Sequence, residues 1–178
     1  MRRRLLILIA ALLPCTTACA TPAMNGPGMI VTFRNVINGK ALLFDKAISA
    51  NGTVFPNPGS LGPEKNSMQG GKTEGAAPDG RMLPEWIEFS WVEIEYHARY
   101  SRDQLLGMPV KKGRVQVRDR VPQDVVGEVI ESNRRRERSK TPDKMLWVYF
   151  IWYENDIKFR WELKKDCCTI LREGGDPI

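Results

Sequence analysis

The sequence predicts an α+β domain, an antiparallel β-sheet built from hairpins with one main helix packed on a face, after an N-terminal signal peptide. Apolar and polar residues alternate over several short stretches, which is the period of half-buried strands. Turn dipeptides such as Asn38-Gly39 separate these stretches, as in hairpins. Only the stretch after Pro122 has a substantial run of apolar residues at helical spacing. Hairpins with a single long helix favour the α+β class.

The chain of 178 residues begins with the pattern of an export signal. Three consecutive arginines, 2–4, precede an uncharged apolar run at 5–13. That run has the length of a signal core and is far shorter than the roughly 20 residues that span a bilayer. Pro14 and small residues follow it. We therefore interpret 1–19 as a lipoprotein-type signal peptide and the Pro- and Gly-rich stretch 20–28 as a tether.

Two kinds of processing fit the end of this signal. Thr16-Thr17-Ala18-Cys19 resembles the lipobox of bacterial lipoproteins, although Thr16 stands where Leu is usual. Ala18-Cys19-Ala20 also fits a site for cleavage after Ala20. We favour a lipid on Cys19, and several acyl chains would bind the protein firmly to a membrane leaflet. Ala20 stands where an Asp would favour the inner membrane, which points to the outer membrane.

A single domain is predicted over 29–172. Its first strands are expected at 29–37 and 40–49, rich in apolar and β-branched residues and joined as a hairpin at Asn38-Gly39. A short third strand is expected at 53–55.

Two segments are predicted to lack regular structure. Residues 56–84 are rich in Gly, Pro, Ser, Asn and Lys, and they predict a long flexible loop, with a binding loop as the alternative. Residues 173–178 are expected to form a frayed tail.

The next stretches predict one strand and two helices. In 85–96 the apolar face switches after Trp91, which indicates a bulge or a strand covered on both sides. Ser101 is placed to cap a short helix over 102–106. Pro122 fits the first turn of a helix that continues to about Asn133.

The clearest pattern is a hairpin near the C-terminus. Residues 144–153 are almost entirely apolar, as expected at the centre of a sheet. Residues 157–163 alternate strictly between apolar and charged. We expect core residues to be found among Phe150, Trp152, Phe159 and Trp161.

Few residues suggest catalysis. His97 is the only histidine, whereas a triad also needs an activated nucleophile beside it. Glu93 and Glu95 lie among several glutamates on one strand, and paired carboxylates can cleave glycosides, but charges facing solvent are commoner. No nucleotide-binding, serine-hydrolase or zinc-protease motif is present. We predict no catalytic residue, no metal site and no cofactor, with a carboxylate-dependent hydrolase as the less favoured alternative.

Charge and cysteine content bear on partners. The net charge is +6, but half of it lies in the signal, and cations in 134–140 suit the C-terminal end of a helix. Basic runs commonly bind nucleic acid, but an exported protein is separated from it. We therefore expect no nucleic-acid partner. A disulfide between adjacent Cys167 and Cys168 would close a strained ring. We therefore keep two alternatives for these cysteines, free thiols and a disulfide. The polar strand end formed by Glu93, Glu95, Tyr96, His97 and Arg99 is the expected surface for a protein partner.

The mature chain also resembles a group of small proteobacterial lipoproteins over residues 29–165. The resemblance is carried by LPEWIEFSW at 83–91, RVPQDVVGEVI at 120–130 and KMLWVYFIWYENDIKFRWEL at 144–163, together with a signal ending in Cys. Some members of the group are periplasmic immunity proteins against type VI secretion phospholipase effectors. The resemblance implies a periplasm-facing envelope lipoprotein that binds a secreted toxin, and it transfers one functional residue, Cys19. A structural or accessory lipoprotein of an envelope machine is the alternative.

Overall fold

The structure is a computed structural model that describes residues 26–63, 72–76, 81–135, 143–154, 156–166 and 168–178. A short 3₁₀ helix at Arg118–Arg120 precedes the second α-helix. The elements in chain order are β1 (Met29–Asn35), β2 (Lys40–Ser49), β3 (Ser60–Leu61), β4 (Lys72–Ala76), β5 (Trp86–Glu95), α1 (Arg102–Leu106), β6 (Lys111–Gln116), α2 (Gln123–Arg135), β7 (Lys144–Trp152), β8 (Ile157–Lys165) and β9 (Thr169–Gly175).

The strands form two sheets. A five-stranded sheet has the order β4-β1-β7-β8-β9, and a four-stranded sheet has the order β3-β2-β5-β6. Strands β1 and β7 are parallel, and the other strand pairs of the described residues are antiparallel. The described part of the chain is therefore mostly β, with an α+β-like arrangement. The prediction of one antiparallel sheet was wrong, because there are two sheets and one of them is mixed.

The first predicted hairpin was also wrong. Asn38-Gly39 does form a turn, but it carries the chain from β1 in one sheet to β2 in the other. Buried Asn35 supports this crossing, since its side-chain amide donates to the carbonyls of Lys40 at 2.8 Å and Leu61 at 3.2 Å. Its carbonyl accepts from the Ile37 N–H at 3.0 Å. This buried amide thus stabilises the crossing, while β1 and β2 pair with other strands.

The core lies between the two sheets and is rich in aromatic rings. Trp152 from β7 lies 4.9 Å from Phe44 and 5.1 Å from Phe89, both on the opposite sheet. Phe150 contacts Phe89 at 5.1 Å. These separations are typical of favourable aromatic pairs. The predicted core residues are all buried, namely Phe150, Trp152, Phe159 and Trp161, and the predicted β7–β8 hairpin is confirmed.

Both predicted helices are confirmed. Ser101 caps α1 in a capping box with Gln104, and Gly107 ends the helix. In α2, Val125 and Val129 are buried in the core. Thus α2 packs its apolar stripe into the protein, whereas α1 buries none of its residues.

The switch of faces on β5 has its counterpart on the neighbouring strand. Ile87, Phe89 and Trp91 are buried, whereas Val92 and Ile94 are partly exposed. The register of β2 shifts between Phe44 and Lys46, opposite this point. The irregularity therefore lies on β2 rather than on β5.

Three predicted irregular segments contain ordered structure. In the predicted tether, 26–28 are buried, and the Pro27 carbonyl accepts from the Asn133 side chain at 2.7 Å. The predicted loop 56–84 contains β3 and β4. Residues 173–175 belong to β9 rather than to a frayed tail.

Other predictions fall outside the described residues. They concern the signal peptide 1–19 with Cys19, most of the basic run 134–140, and Cys167.

Candidate partner-binding site

The predicted site residues lie at one end of the four-stranded sheet. Strand β5 ends at Glu95, and the chain then forms a connection, residues 96–110, before it enters β6. We call this segment the β5–β6 connection. Its start is fixed to the sheet, because the Tyr96 N–H donates to the Gly39 carbonyl at 2.9 Å and the Glu95 N–H donates to the Tyr100 hydroxyl at 3.2 Å.

The two glutamates of the site are engaged within the sheet. Glu93 is mostly buried, and its carboxylate lies 2.7 Å from the Lys111 ammonium on β6. Glu95 pairs with Lys40 on β2, and this hydrogen bond raises the pKa of Lys40. Each carboxylate therefore serves a cross-strand ion pair.

The three remaining predicted residues are exposed together. Tyr96 is 49% exposed, and its ring lies 4.8 Å from the ring of His97. A Cβ atom added to Gly62 would lie 3.0 Å from the Tyr96 ring, so the tyrosine packs closely over this glycine. His97 and Arg99 are exposed, and neither side chain has a hydrogen-bond or ion-pair partner among the described residues. These three side chains are therefore open to solvent at this end of the sheet.

Sequence reasoning missed two apolar residues of the same connection. Leu106 is 74% exposed and Val110 is 58% exposed. Leu106 is the last residue of the predicted helix 102–106 and Val110 follows Pro109, and nothing in the local sequence shows whether another element covers them. Large exposed apolar side chains that share one short segment can contribute to a protein–protein contact.

The β5–β6 connection is held by local hydrogen bonds. The Ser101 hydroxyl accepts from the Gln104 N–H at 3.2 Å, and the Gln104 side chain accepts from the Ser101 N–H at 2.8 Å. The Gly107 N–H donates to the Asp103 carbonyl at 3.1 Å. A segment ordered in this way loses less conformational entropy when a partner binds.

A second polar cluster lies on β7 and β8. The Tyr149 hydroxyl bonds to Glu162 and accepts from the Lys164 ammonium at 3.0 Å. Burial raises the pKa of Tyr149, and the bond to Glu162 raises it further. Burial alone would lower the pKa of Lys164, but its bonds to Glu162 and Tyr149 raise it. Both groups therefore keep their protons, which is the opposite of an activated base or nucleophile.

The described residues hold no group of three or more His, Cys, Asp or Glu side chains arranged to bind a metal ion. They also contain no helix with the length and hydropathy needed to cross a membrane.

Comparisons of the chain with protein-family models, with curated proteins and with solved structures found no match.

Proposed function

We propose that this chain is an exported envelope lipoprotein that binds a protein partner through the β5–β6 connection. The partner that we propose is a secreted lipase effector, which the protein neutralises on the periplasmic side of the outer membrane. The protein acts by binding rather than by catalysis.

Support for the location comes from the N-terminal sequence. Three arginines, the apolar run 5–13 and Cys19 have the order of a lipoprotein signal. A lipid on Cys19 would hold the domain at a membrane, where a lipase acts. Tethering raises the concentration of an inhibitor beside its target without requiring any new contact.

The observation that carries the proposal is the exposed apolar and aromatic surface of the β5–β6 connection. Tyr96, Leu106 and Val110 expose large side chains on a segment fixed by its own hydrogen bonds. His97 and Arg99 add polar groups that have no hydrogen-bond or ion-pair partner among the described residues. Binding energy in protein interfaces is concentrated in a few such residues, with polar groups around them.

A competition assay between sister cells tests the immunity role. Cells that lack this gene should be killed by neighbours that deliver the effector encoded beside it, and the exported wild-type chain should restore survival. A form retained in the cytoplasm should not protect, because the effector acts on the other side of the inner membrane. Undiminished survival of the deletion strain, with no second copy of the gene present, would refute the immunity role.

The lipid anchor needs a separate test. A palmitate analogue fed to growing cells should label the wild type and should not label Cys19→Ser. The Cys15→Ser variant is the matched control and should label normally. Equal labelling of the wild type and Cys19→Ser would refute the lipid anchor on Cys19. The binding role would still be tested by the competition assay.

A further inference from the structure

A groove of about 350 Å³ runs beside β6, between this strand and the turn that joins β7 to β8. Trp91 and Ile157, which are both mostly buried, contribute apolar surface to it. The turn between β7 and β8 lines it with Tyr153 and Glu154. At Gly113 the strand approaches so closely that an added Cβ would lie 2.6 Å from Ile157.

The residues that β6 contributes show which part of the strand borders the groove. Four consecutive positions line it, from Lys111 to Arg114. Successive side chains of a strand point to opposite faces, so a groove over one face would be lined by every second residue. Lining by consecutive residues places the groove along the edge of β6.

That edge has free backbone hydrogen-bonding capacity. Strand β6 pairs with β5 on one side and ends the four-stranded sheet on the other. No other described backbone group bonds to residues 111–116. An edge of this kind is a template on which another strand can pair.

The usual protection of an edge strand is weak here. Charged side chains discourage edge pairing when they extend into solvent, but two of the three β6 cations are engaged with their own sheet. Lys111 pairs with Glu93, and Arg114 lies 2.9 Å from Glu88 and 4.0 Å from the centre of the Trp86 ring. Only Lys112 has no partner among the described residues.

We propose that an extended segment of the protein partner adds to β6 as a further strand of the four-stranded sheet and places an acidic side chain beside Lys112. This inference rests on the proposed function and specifies how that partner is bound. Addition of a strand takes affinity from backbone hydrogen bonds and specificity from the side chains beside the edge.

Two features favour the protein partner over a second copy of this chain as the molecule that pairs with the β6 edge. The β5–β6 connection ends at Val110 and β6 begins at Lys111, so the exposed apolar surface and the free edge are continuous along the chain. The unpaired ammonium of Lys112 is complementary to an acidic side chain.

The other long edge differs in its surroundings. Strand β9 ends the five-stranded sheet, but its register is broken by an irregularity at Leu163/Lys164. Its cation Arg172 is engaged with Asp124 and Glu128 on α2. Strand β9 belongs to the other sheet, whereas the β5–β6 connection leads directly into β6, so β9 serves as the internal control.

Amide exchange measured by NMR on the mature chain, free and in complex with the effector, tests the proposal. Strand addition bonds alternate residues of the edge, so exchange should be lost at every second amide of 111–116 when the complex forms. The amides of β9 should exchange as before. A complex that protects 96–110 but leaves 111–116 unchanged would overturn strand addition while the proposed function stands. Absence of any complex would overturn both.

Charge reversal gives a second readout that does not depend on exchange. Lys112→Glu should weaken binding of the effector about tenfold, through repulsion of the acidic side chain. Lys46→Glu is the matched control, because Lys46 is also exposed and also has no partner among the described residues. Equal affinity of Lys112→Glu and the wild type would contradict the proposal. A dimer of the free chain with protected 111–116 amides would also overturn it, since a second copy would then occupy the edge.

Discussion

The β7–β8 hairpin and the β5–β6 connection use similar side chains for opposite purposes. In the hairpin, Trp152 and Phe159 are fully buried between the two sheets. In the connection, Leu106 and Val110 are mostly exposed, and α1 buries no residue. The hairpin is therefore expected to determine stability, and the connection is expected to affect binding while contributing little to folding.

The cause of the difference is the backbone that carries the side chains. Alternation along β7 and β8 directs every second residue into one core. In the connection, no sheet or helix of the described residues covers α1, and none of the α1 residues is buried. Its order comes from capping and turn hydrogen bonds instead. Apolar side chains on such a segment are available to another molecule.

The largest expected effect is on the hairpin. Trp152→Ala should lower the free energy of unfolding by about 3–5 kcal/mol, because it leaves a cavity in the aromatic core. Trp161→Ala should have an effect of the same kind. Trp86→Ala is the matched control and should cost less, because Trp86 is only half-buried. Urea denaturation measures all three, and unchanged stability of both core variants would show that the hairpin is not the core.

A smaller effect is expected where the C-terminal strand is fixed. Asp176 accepts from the Phe159 N–H at 2.8 Å and from the Arg120 guanidinium at 2.5 Å. Burial alone would raise the pKa of Asp176, but these bonds hold it below its ordinary value of 3.8. Asp176→Asn should cost about 1–3 kcal/mol at neutral pH. Asp119→Asn, at an exposed carboxylate with no partner among the described residues, is the control.

The pH dependence of that effect has a definite sign. A carboxyl group with a lowered folded pKa stabilises the protein above its unfolded pKa and loses this contribution as the pH falls through the folded value. The difference between wild type and Asp176→Asn should therefore shrink well below pH 3.8. A difference that is the same at neutral and strongly acidic pH would contradict the role of the charge.

The pH dependence of the contribution of Tyr149 to stability should be opposite to that of Asp176, because it is lost at alkaline rather than acidic pH. The pKa of Tyr149 is raised above 10.0 by burial and by Glu162, so its contribution is present below that pH and is lost as the pH rises through the folded pKa. Tyr149→Phe should cost about 1 kcal/mol at neutral pH and should weaken the alkaline dependence of the melting temperature. Tyr153→Phe is the control, since its hydroxyl has no partner among the described residues. Identical alkaline profiles for wild type and Tyr149→Phe would rule out this role.

The smallest effect on stability is expected in the β5–β6 connection. The double variant Leu106→Glu/Val110→Glu should change the free energy of unfolding by less than about 0.5 kcal/mol per site, as is usual for exposed positions. Thermal denaturation beside the wild type checks this. A loss comparable to that of Trp152→Ala would mean that these side chains are part of the core, and the contrast between the two regions would fail.

Local pattern predicted the elements better than their assembly. Strict alternation in 157–163 identified β8 and the Ser101 cap identified α1, because these signals depend on neighbouring residues alone. The pairing of β1 with β7 depends on residues far apart in the chain. Asn38-Gly39 signals a reversal, but whether the second strand joins the same sheet depends on the bonds of Asn35 to Lys40 and Leu61.

The same limit applies to the site. The sequence indicated exposed Tyr96, His97 and Arg99 at a strand end, and the structure exposes all three. It did not show that Glu93 and Glu95 are engaged with cations, since those partners come from two other strands. Exposure of Leu106 also depends on what packs over it, which local pattern does not reveal. Order in β9 depends on Asp176, whose partners Phe159 and Arg120 lie far away along the chain.

The most direct test of the central claim is the affinity of the purified mature chain for the effector, measured by calorimetry. The Leu106→Glu/Val110→Glu variant should bind at least about tenfold more weakly than the wild type, because charged groups replace the apolar anchors of the proposed interface. Val54→Glu is the matched control, because Val54 is 82% exposed but lies outside the connection, and it should bind like the wild type. Wild-type affinity of the double variant, with both proteins folded, would contradict the claim that the β5–β6 connection binds the partner.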